Sequence, residues 1–377
     1  MNNVYITRLS KFLPNNPIDN DQMEEKLGKI DGETSKARRI VLRNNKIKTR
    51  YYAIDDQGKV THNNAQLVSK AIEKLCDGIF SKNDIELLSC GTSSPDQILP
   101  SHASMVHGFL KNGNLEVNSP SGACCSGMNA LKYGFMAIKS NQVNNAVCTG
   151  SERMSSWMRS ELFKAEISHL KELEKAPVIA FRKEFLRWML SDGAGAFLLE
   201  NKPNGKTPLK IEWMEGYSYA HELETCMYSG SEKSENGTLK SWSDYSQEEW
   251  TEESIFAVKQ DVKLLDENIL VKGVESLKNA IEKNGLAPKD ITYFLPHVSS
   301  YYFRERLFEE MIKQGVEIPW ENWFMNLSKV GNIGAGSIYI MLEELVTSGK
   351  LKKGDTIVLS VPESARFSYS YAYLTVC

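Results

Sequence analysis

One cysteine stands where a reactive thiol is expected. Cys125 lies in the segment Gly-Ala-Cys-Cys-Ser-Gly, residues 122–127, between a predicted strand and a predicted helix. The first turn of a helix carries free backbone N–H groups and the positive end of the helix dipole, which stabilise a thiolate and lower the thiol pKa. The same N–H groups could form half of an oxyanion hole. Taken alone, a cysteine after such a turn is more often a buried structural thiol, so Cys125 needs partners.

Two polar residues from the second half of the chain could be those partners. His297 follows apolar residues in Phe-Leu-Pro-His-Val-Ser-Ser (294–300), and Asn332 lies in the loop Gly-Asn-Ile-Gly-Ala-Gly-Ser (331–337). A histidine and a neutral amide suit a carbonyl oxygen that acquires negative charge. No Lys-Ser/Thr follows the glycines, which excludes a P-loop. Taken alone, each residue has a common structural explanation. The histidine could simply be hydrogen-bonded in the core or on the surface, and the asparagine could simply stabilise a turn.

A repeated order of elements predicts that these residues meet. Residues 71–94 and 280–300 both run helix, turn and apolar strand, and both begin Ala-Ile-Glu-Lys and end Ser-Ser. Residues 109–152 and 311–363 both continue with strand, loop, helix and strand. Short apolar strands between amphipathic helices indicate an α/β fold with sheets covered on both faces. Strand ends and helix starts of such folds face one cleft, so Cys125 is predicted to meet His297 and Asn332 there.

The repeat also predicts the domain organisation. Residues 1–200 form one half, with the cysteine, and residues 207–377 form the other, with the histidine and the asparagine. A connector rich in Pro, Gly and Lys, residues 201–206, separates them. Residues 215–253 are polar and aromatic and break the symmetry. We interpret this segment as an insertion over the site, with a surface loop cluster of no functional role as the alternative.

Composition excludes several classes of protein. The chain has 377 residues, 41% of them hydrophobic, and a formal net charge of -3, which suits a large core and gives no overall nucleic-acid character. No apolar stretch approaches the ~20 residues of a membrane helix. The first residues lack the layout of a signal peptide, so a cytoplasmic location is expected. The seven cysteines show no metal-ligand spacing, and no metal site is predicted.

The Cys, Pro-His and Gly-Asn-x-Gly motifs, in this order on a duplicated α/β chain, resemble the β-ketoacyl-ACP synthase III family of the thiolase superfamily. Ser-Asp-Gly-Ala-Gly-Ala (191–196) and Leu-Lys-Lys-Gly-Asp-Thr (351–356) match further family motifs, and the likeness spans nearly the whole sequence. The resemblance implies the thiolase fold, with two pseudo-duplicated halves stacked as an αβαβα five-layer sandwich, and a homodimer. It also implies substrates carried on the pantetheine of acyl carrier protein or coenzyme A, without a metal or redox cofactor.

The resemblance implies roles for individual residues. Cys125 aligns with the acyl-accepting cysteine, because the family motif places that residue two before a glycine, here Gly127. Cys124 replaces a small residue and is interpreted as structural. His297 and Asn332 align with the pair that stabilises the enolate formed when a malonyl thioester loses carbon dioxide.

A basic segment, residues 36–50, contains no acidic residue. It is either a solvated face or a landing site for a phosphate-bearing or acidic partner, since clustered Lys and Arg attract anions. The resemblance implies the second reading, because the family meets the phosphates of coenzyme A or carrier protein in this region. The residues expected to bind them are Arg38, Arg39 and Arg43.

Several positions depart from the family pattern. The glycine-rich loop near the C-terminal end, a source of an oxyanion-hole N–H, is here Pro-Glu-Ser-Ala-Arg-Phe (362–367), and Ala365 is expected to supply that N–H beside the one from Cys125. Ser300 replaces an asparagine, and Glu152 stands where a shorter Asp is common. These departures favour a specialised relative, such as the ketosynthases that form dialkylresorcinols. If ring closure follows condensation, Glu152 is a candidate base.

The predicted activity is a ping-pong condensation. Cys125 is loaded with an acyl group, which then forms a carbon–carbon bond with a second malonyl- or β-ketoacyl-thioester. An acyltransferase of the same fold that makes an ester or amide is an alternative, as is the fatty-acid-initiating β-ketoacyl-ACP synthase III itself. A non-catalytic subunit is a further alternative, and the complete Cys-His-Asn set argues against it.

Overall fold

Strands and helices alternate along most of the chain in this computed structural model, which describes residues 2–32, 34–35, 38–162 and 186–377. The strands are β1 (Tyr5–Phe12), β2 (Ile18–Asp19), β3 (Thr49–Arg50), β4 (Leu87–Thr92), β5 (Glu116–Asn118), β6 (Asn145–Glu152), β7 (Gly193–Glu200), β8 (Leu209–Ser218), β9 (Met227–Tyr228), β10 (Ser231–Lys233), β11 (Leu239–Ser241), β12 (Lys259–Gln260), β13 (Tyr293–Pro296), β14 (Thr356–Glu363) and β15 (Ser368–Val376). The α-helices of the described residues are α1 (Met23–Leu27), α2 (Arg38–Asn45), α3 (Asn64–Glu73), α4 (His102–Leu110), α5 (Cys125–Lys139), α6 (Gln247–Glu252), α7 (Val262–Lys283), α8 (Tyr302–Gln314), α9 (Leu327–Val330) and α10 (Ser337–Thr347).

Nine strands form one mixed sheet, in the order β13-β14-β15-β8-β1-β7-β6-β4-β5. Its two halves meet at β1 and β8, which are joined by only two residue pairs, Tyr5 with Lys210 and Ile6 with Leu209. Outward from this seam the halves have the same order, β1-β7-β6-β4 on one side and β8-β15-β14-β13 on the other. The predicted connector, residues 201–206, lies between β7 and β8, the last strand of one half and the first of the other.

Three apolar clusters stack the elements in five layers. Side chains of α3 and α4 pack on one face of the first half-sheet, and those of α7 and α8 pack on one face of the second. The central cluster joins α5 and α10 to the inner faces of both half-sheets. Alternation along each strand makes this possible, since Leu87 of β4 belongs to the central cluster and Leu88 to the outer one. The predicted thiolase fold, an αβαβα sandwich of two similar halves, is confirmed.

The segment predicted as an insertion, residues 215–253, is partly sheet. Strand β8 extends to Ser218 and pairs with β15 along its whole length. The residues that follow form the short strands β9 to β11 and helix α6. In the described part of the chain, no helix is both long and apolar enough to span a membrane.

Candidate active site

Cys125 is the first residue of α5, where the sequence places it. Gly122 reaches this start with φ of 145°, a conformation that side-chain-bearing residues rarely adopt. The thiol is buried, with Cys125 4% exposed. Its Sγ donates to the carbonyl oxygen of Val361 at 3.3 Å and lies 3.7 Å from that of Ser368. Burial, and then the nearby carboxylate of Glu363, raise the pKa of Cys125 well above its ordinary value, so the expected lowering by the helix start is wrong for this resting arrangement.

A glutamate that sequence reasoning assigned no role occupies the backbone donors at this helix start. Oε2 of Glu363 accepts from the N–H of Cys125 at 3.0 Å and from the N–H of Ala123 at 3.1 Å. The Cys125 N–H predicted for the oxyanion hole is therefore bound to a carboxylate of the same chain. The only signal in the sequence was the departure of residues 362–367 from the family pattern.

His297 follows directly after β13, and its backbone N–H donates to Ser360 at 2.8 Å, which extends the pairing of β13 with β14. The side chain is buried, and its Nε2 has no hydrogen-bond partner among the described residues. Burial lowers the pKa of His297 to about 4, so the imidazole is neutral near pH 7. A neutral imidazole keeps one N–H donor for a ligand.

Asn332 is held by its own backbone and by one side-chain bond. Its N–H donates to Met189 at 2.9 Å, and its carbonyl oxygen accepts from Ser191 at 2.8 Å. Oδ1 accepts from the N–H of Gly334 at 2.9 Å. Because Oδ1 already accepts this hydrogen bond, the NH₂ group of the Asn332 side chain can donate a hydrogen bond to a substrate.

One cavity brings these elements together. It has about 1030 Å³ of free space, counting its open mouth, and its wall includes His297 and Asn332 from the second half with Ala123 and Cys124 from the first. Cys125 follows Cys124 in the chain but does not itself line the cavity, and its thiol faces β14 and β15. The cavity continues between β15 and α7, where its wall is apolar and includes Leu265, Ile269, Leu270, Val274 and Leu277.

Glu152 is fully buried behind the cavity wall. Its carboxylate accepts from Ser94 Oγ at 2.5 Å and from the N–H groups of Ser93 at 3.1 Å and Ala335 at 3.2 Å. Burial raises the pKa of Glu152, and these hydrogen bonds oppose the rise. Because Ser93 belongs to the first half and Ala335 to the second, Glu152 ties the two halves together. Its role as a base stays a prediction.

Ala365 lies in the tight connection between β14 and β15. Its carbonyl oxygen accepts from the N–H groups of Cys226 at 2.9 Å and Met227 at 3.2 Å, which fixes the connection to the start of β9. Pro362 and Ser364 line the cavity, whereas Ala365 is not among the described residues that do. The structure therefore does not bring Ala365 to the cavity wall with the start of α5.

The three arginines predicted to bind phosphates lie on α2 and have different surroundings. Arg38 is bound within the chain, to Asp21 at 2.8 Å and Glu24 at 3.2 Å. Arg39 and Arg43 are exposed, and neither forms an ion pair within the described residues. Of the rest of the basic segment, Arg50 is fully buried, and Lys36 lies outside the described residues.

No group of three or more His, Cys, Asp or Glu side chains that could hold a metal ion is found in residues 2–32, 34–35, 38–162 and 186–377. The absence of metal and redox cofactors from the reaction stays a prediction.

Known proteins share both the sequence and the fold. Residues 93–204 match the family described as β-ketoacyl synthase, N-terminal domain, and residues 281–362 match 3-oxoacyl-[acyl-carrier-protein (ACP)] synthase III C terminal. The β-ketoacyl-[acyl-carrier-protein] synthase III of Clostridium perfringens (strain 13 / Type A) is 26% identical over 367 residues, 95% of each chain. Cys125 lies within the first matched region, and His297 and Asn332 lie within the second.

Two solved structures superpose over nearly the entire chain. The tetronic acid condensing enzyme AbyA1 has a TM-score of 0.76 at 19% identity and covers 99% of both chains. OleA of Xanthomonas campestris, solved with lauric acid and lauroyl-CoA, has a TM-score of 0.73 at 19% identity and the same coverage. At these identities the likeness shows the fold.

Proposed function

We propose that this chain, which its motifs and its matched regions relate to the β-ketoacyl-[acyl-carrier-protein] synthase III family of the thiolase superfamily, is an acyl-thioester condensing enzyme. Cys125 takes an acyl group, and a second malonyl- or β-ketoacyl-thioester forms a carbon–carbon bond with it. The observation that carries the proposal is the shared cavity, in which His297 and Asn332 from one half face the helix start of the other.

The second step uses His297 and Asn332. A neutral imidazole N–H and an amide NH₂ both donate hydrogen bonds, which is what a thioester carbonyl needs as it becomes an enolate oxygen. The unpartnered Nε2 of His297 supports this role, because a buried polar atom without a partner is costly unless a ligand satisfies it. A malonyl thioester forms this enolate by losing carbon dioxide, and a β-ketoacyl thioester forms it by giving its α-proton to a base. The enolate carbon attacks the acyl carbonyl, and the bond to Cys125 Sγ breaks, which releases the product and leaves a thiolate that regains its proton from solvent.

A specialised role in secondary lipid or polyketide biosynthesis, of the dialkylresorcinol-forming kind, is the finer proposal. The segment Pro-Glu-Ser-Ala-Arg-Phe supports it, since this segment places a carboxylate at the nucleophile where the family has glycines. An ester- or amide-forming acyltransferase and the fatty-acid-initiating β-ketoacyl-ACP synthase III are the competing functions. Release of carbon dioxide or a β-keto product distinguishes condensation from ester or amide formation.

The relatives' names also support the proposed partners. Acyl carrier protein or an acyl-coenzyme A delivers the thioesters, and the exposed Arg39 and Arg43 offer two cations to their phosphates. A homodimer in the cytoplasm is the proposed assembly and location.

Intact mass spectrometry tests the nucleophile. After exposure to acetyl-, hexanoyl- and lauroyl-coenzyme A, the wild type is expected to gain the mass of at least one acyl group, and Cys125→Ala is expected to gain none. Cys124→Ala is the matched control, because it removes the adjacent thiol and leaves Cys125, and it should still be acylated. Acylation that persists in Cys125→Ala and disappears in Cys124→Ala would move the nucleophile to the cysteine that lines the cavity.

A further inference from the structure

Glu363 is held against the nucleophile by both strands of a hairpin. It is the last residue of β14 and pairs with Ser368, the first residue of β15. The connection between them is anchored from outside, since Gln260 Nε2 donates to Ser364 Oγ at 2.9 Å and Ala365 accepts two backbone N–H groups. Glu363 therefore approaches α5 from a backbone fixed on both sides.

The surroundings of the Cys125 thiol suit its protonated form. The two hydrogen-bond partners of Sγ, the carbonyl oxygens of Val361 and Ser368, are acceptors, and they bind an S–H but repel a thiolate. The carboxylate of Glu363 adds negative charge beside them. Because the thiolate is the nucleophile, a base must remove the proton when the thioester arrives.

Glu363 is the base best placed to do so. Its Oε2 is bound to the N–H of Cys125 itself, whereas His297 makes no hydrogen bond to Cys125 among the described residues. Glu152 is also a buried carboxylate, but its oxygens are bound to Ser93, Ser94 and Ala335.

We propose that Glu363 accepts the thiol proton of Cys125 during acyl loading and, once protonated, yields the N–H groups of Cys125 and Ala123 to the substrate's oxyanion. This inference rests on the proposed condensing function. It gives one residue two linked roles, because a neutral carboxyl group binds the two N–H donors less strongly than a carboxylate does. The oxyanion hole thus opens at the moment when the thiolate forms.

The atoms balance in this step. The proton of Cys125 Sγ moves to Glu363, and Sγ attacks the thioester carbon, whose oxygen takes the two N–H groups. Collapse of the tetrahedral intermediate breaks the carbon–sulfur bond to pantetheine. The departing thiolate takes the proton from Glu363, so that a thiol leaves and the carboxylate returns to the helix start.

The protonation behaviour of Glu363 agrees with this role. Burial raises the pKa of Glu363 although its bonds to Cys125 and Ala123 lower it. A carboxylate whose conjugate acid has a raised pKa is a stronger base than an exposed one, which favours proton transfer from the thiol to Glu363.

The decisive variant is Glu363→Gln, whose amide oxygen can still accept both N–H groups but cannot take a proton. The experiment measures the rate constant for Cys125 acylation by quenched-flow intact mass spectrometry from pH 5.5 to 9.5, with whichever of acetyl-, hexanoyl- or lauroyl-coenzyme A loads the wild type fastest. At pH 7 the variant is expected to load about 100-fold more slowly or worse. Its rate should climb steadily with pH, whereas the wild-type rate levels off once Glu363 has ionised.

Two further variants complete the experiment. Glu215→Gln replaces a half-buried glutamate of β8 outside the cavity wall and should load like the wild type. Glu363→Asp keeps a carboxylate on a shorter side chain, and its pH midpoint should shift from that of the wild type. If Glu363→Gln does not fold, an unshifted midpoint in Glu363→Asp overturns the proposal.

A purely structural role for Glu363 predicts a different outcome of the acylation experiment. Glu363→Gln would then unfold at a lower temperature but load at the wild-type rate with the wild-type pH profile, and this outcome overturns the inference alone. A wild type that never loads, or that loads equally well as Cys125→Ala, overturns the condensing function itself.

Discussion

Burial of His297 links the stability of the protein to pH. Its pKa is about 4 in the folded chain, below its ordinary value of 6.5, because desolvation disfavours the imidazolium. Between these values the unfolded chain binds a proton that the folded chain does not. The free energy of unfolding therefore rises with pH across this window, and the contribution of His297 is fully present above pH 6.5 and lost as the pH falls toward 4.

Replacement of His297 by asparagine should flatten this dependence. The wild type is expected to lose about 3 kcal/mol more of its free energy of unfolding than His297→Asn between pH 7 and pH 4. Denaturant unfolding at several pH values gives the free energy of unfolding of each protein. Subtracting the variant's value from the wild-type value at each pH cancels the contributions of the other buried groups, which both proteins share. His221→Asn, at an exposed histidine, is the control and should follow the wild type. Parallel curves for wild type and His297→Asn would contradict the prediction.

At the residue scale, the sequence identified the groups that lie in motifs. Cys125, His297 and Asn332 could be found because their order and their neighbouring glycines and proline are local patterns. Glu363 could not, although its segment stood out as unusual. Its contact with Cys125 spans 238 positions and depends on the register of a hairpin, which no local pattern specifies.

Close packing of two elements determines how near the halves of the site approach each other. Gly127 in α5 and Gly150 in β6 both face the carbonyl oxygen of Ala335, just before α10, and a Cβ at either glycine would overlap with that oxygen. Tyr339 of α10 donates from its hydroxyl to the Gly127 carbonyl at 2.8 Å. These contacts bring the loop that carries Asn332 close to the start of α5.

A methyl group at Gly127 should therefore disturb both stability and activity. Gly127→Ala is expected to reduce the free energy of unfolding by about 1–3 kcal/mol, because the obstacle is backbone rather than a flexible side chain. Gly108→Ala in α4 is the matched control, since its Cβ would meet nothing within 4 Å. That control should gain about 0.4–1 kcal/mol. Denaturant unfolding measures the free energy of unfolding of both variants. A Gly127→Ala variant as stable as the wild type would refute the predicted overlap with the Ala335 carbonyl oxygen.

Element identity was predictable where it rests on periodicity, as for α5, β4, β6 and β14. The first strand predicted for residues 311–363 was wrong, because the chain between α8 and α10 forms short helical turns and no strand. The end of β8 was not predictable either. Residues 215–218 are polar and aromatic, so they were included in the predicted insertion, yet they pair with residues 368–371 of β15. Because that partner strand lies about 150 positions away, only the tertiary fold decides that these residues are sheet.

The edge of the large sheet is where the proposed homodimer can be tested. Strand β5 pairs only with β4 among the described strands, and its Val117 is 39% exposed. An edge strand with free backbone groups and an exposed apolar side chain is suited to pairing with a second chain. A second copy at this edge would continue the sheet.

Light scattering after size-exclusion chromatography checks this assembly. The wild type is expected to be dimeric, and Val117→Lys is expected to shift it toward monomer, because a charged side chain on an edge strand opposes strand pairing. Ile312→Lys changes a comparably exposed apolar residue, 49% exposed, on α8 and should stay dimeric. A monomeric wild type, or a dimeric Val117→Lys variant, would count against pairing through β5.

The division of the site between two halves of the chain also affects when the site can form during synthesis. Cys125 and Glu363 are 238 positions apart. A ribosome that adds roughly 5–20 residues per second needs about 10 to 50 seconds to go from one to the other. Throughout that interval a nascent chain has its thiol but lacks the complete β14–β15 hairpin. On the proposed assignment, a growing chain cannot capture acyl groups prematurely, and the thiol becomes reactive only after the second half has been synthesised and has docked.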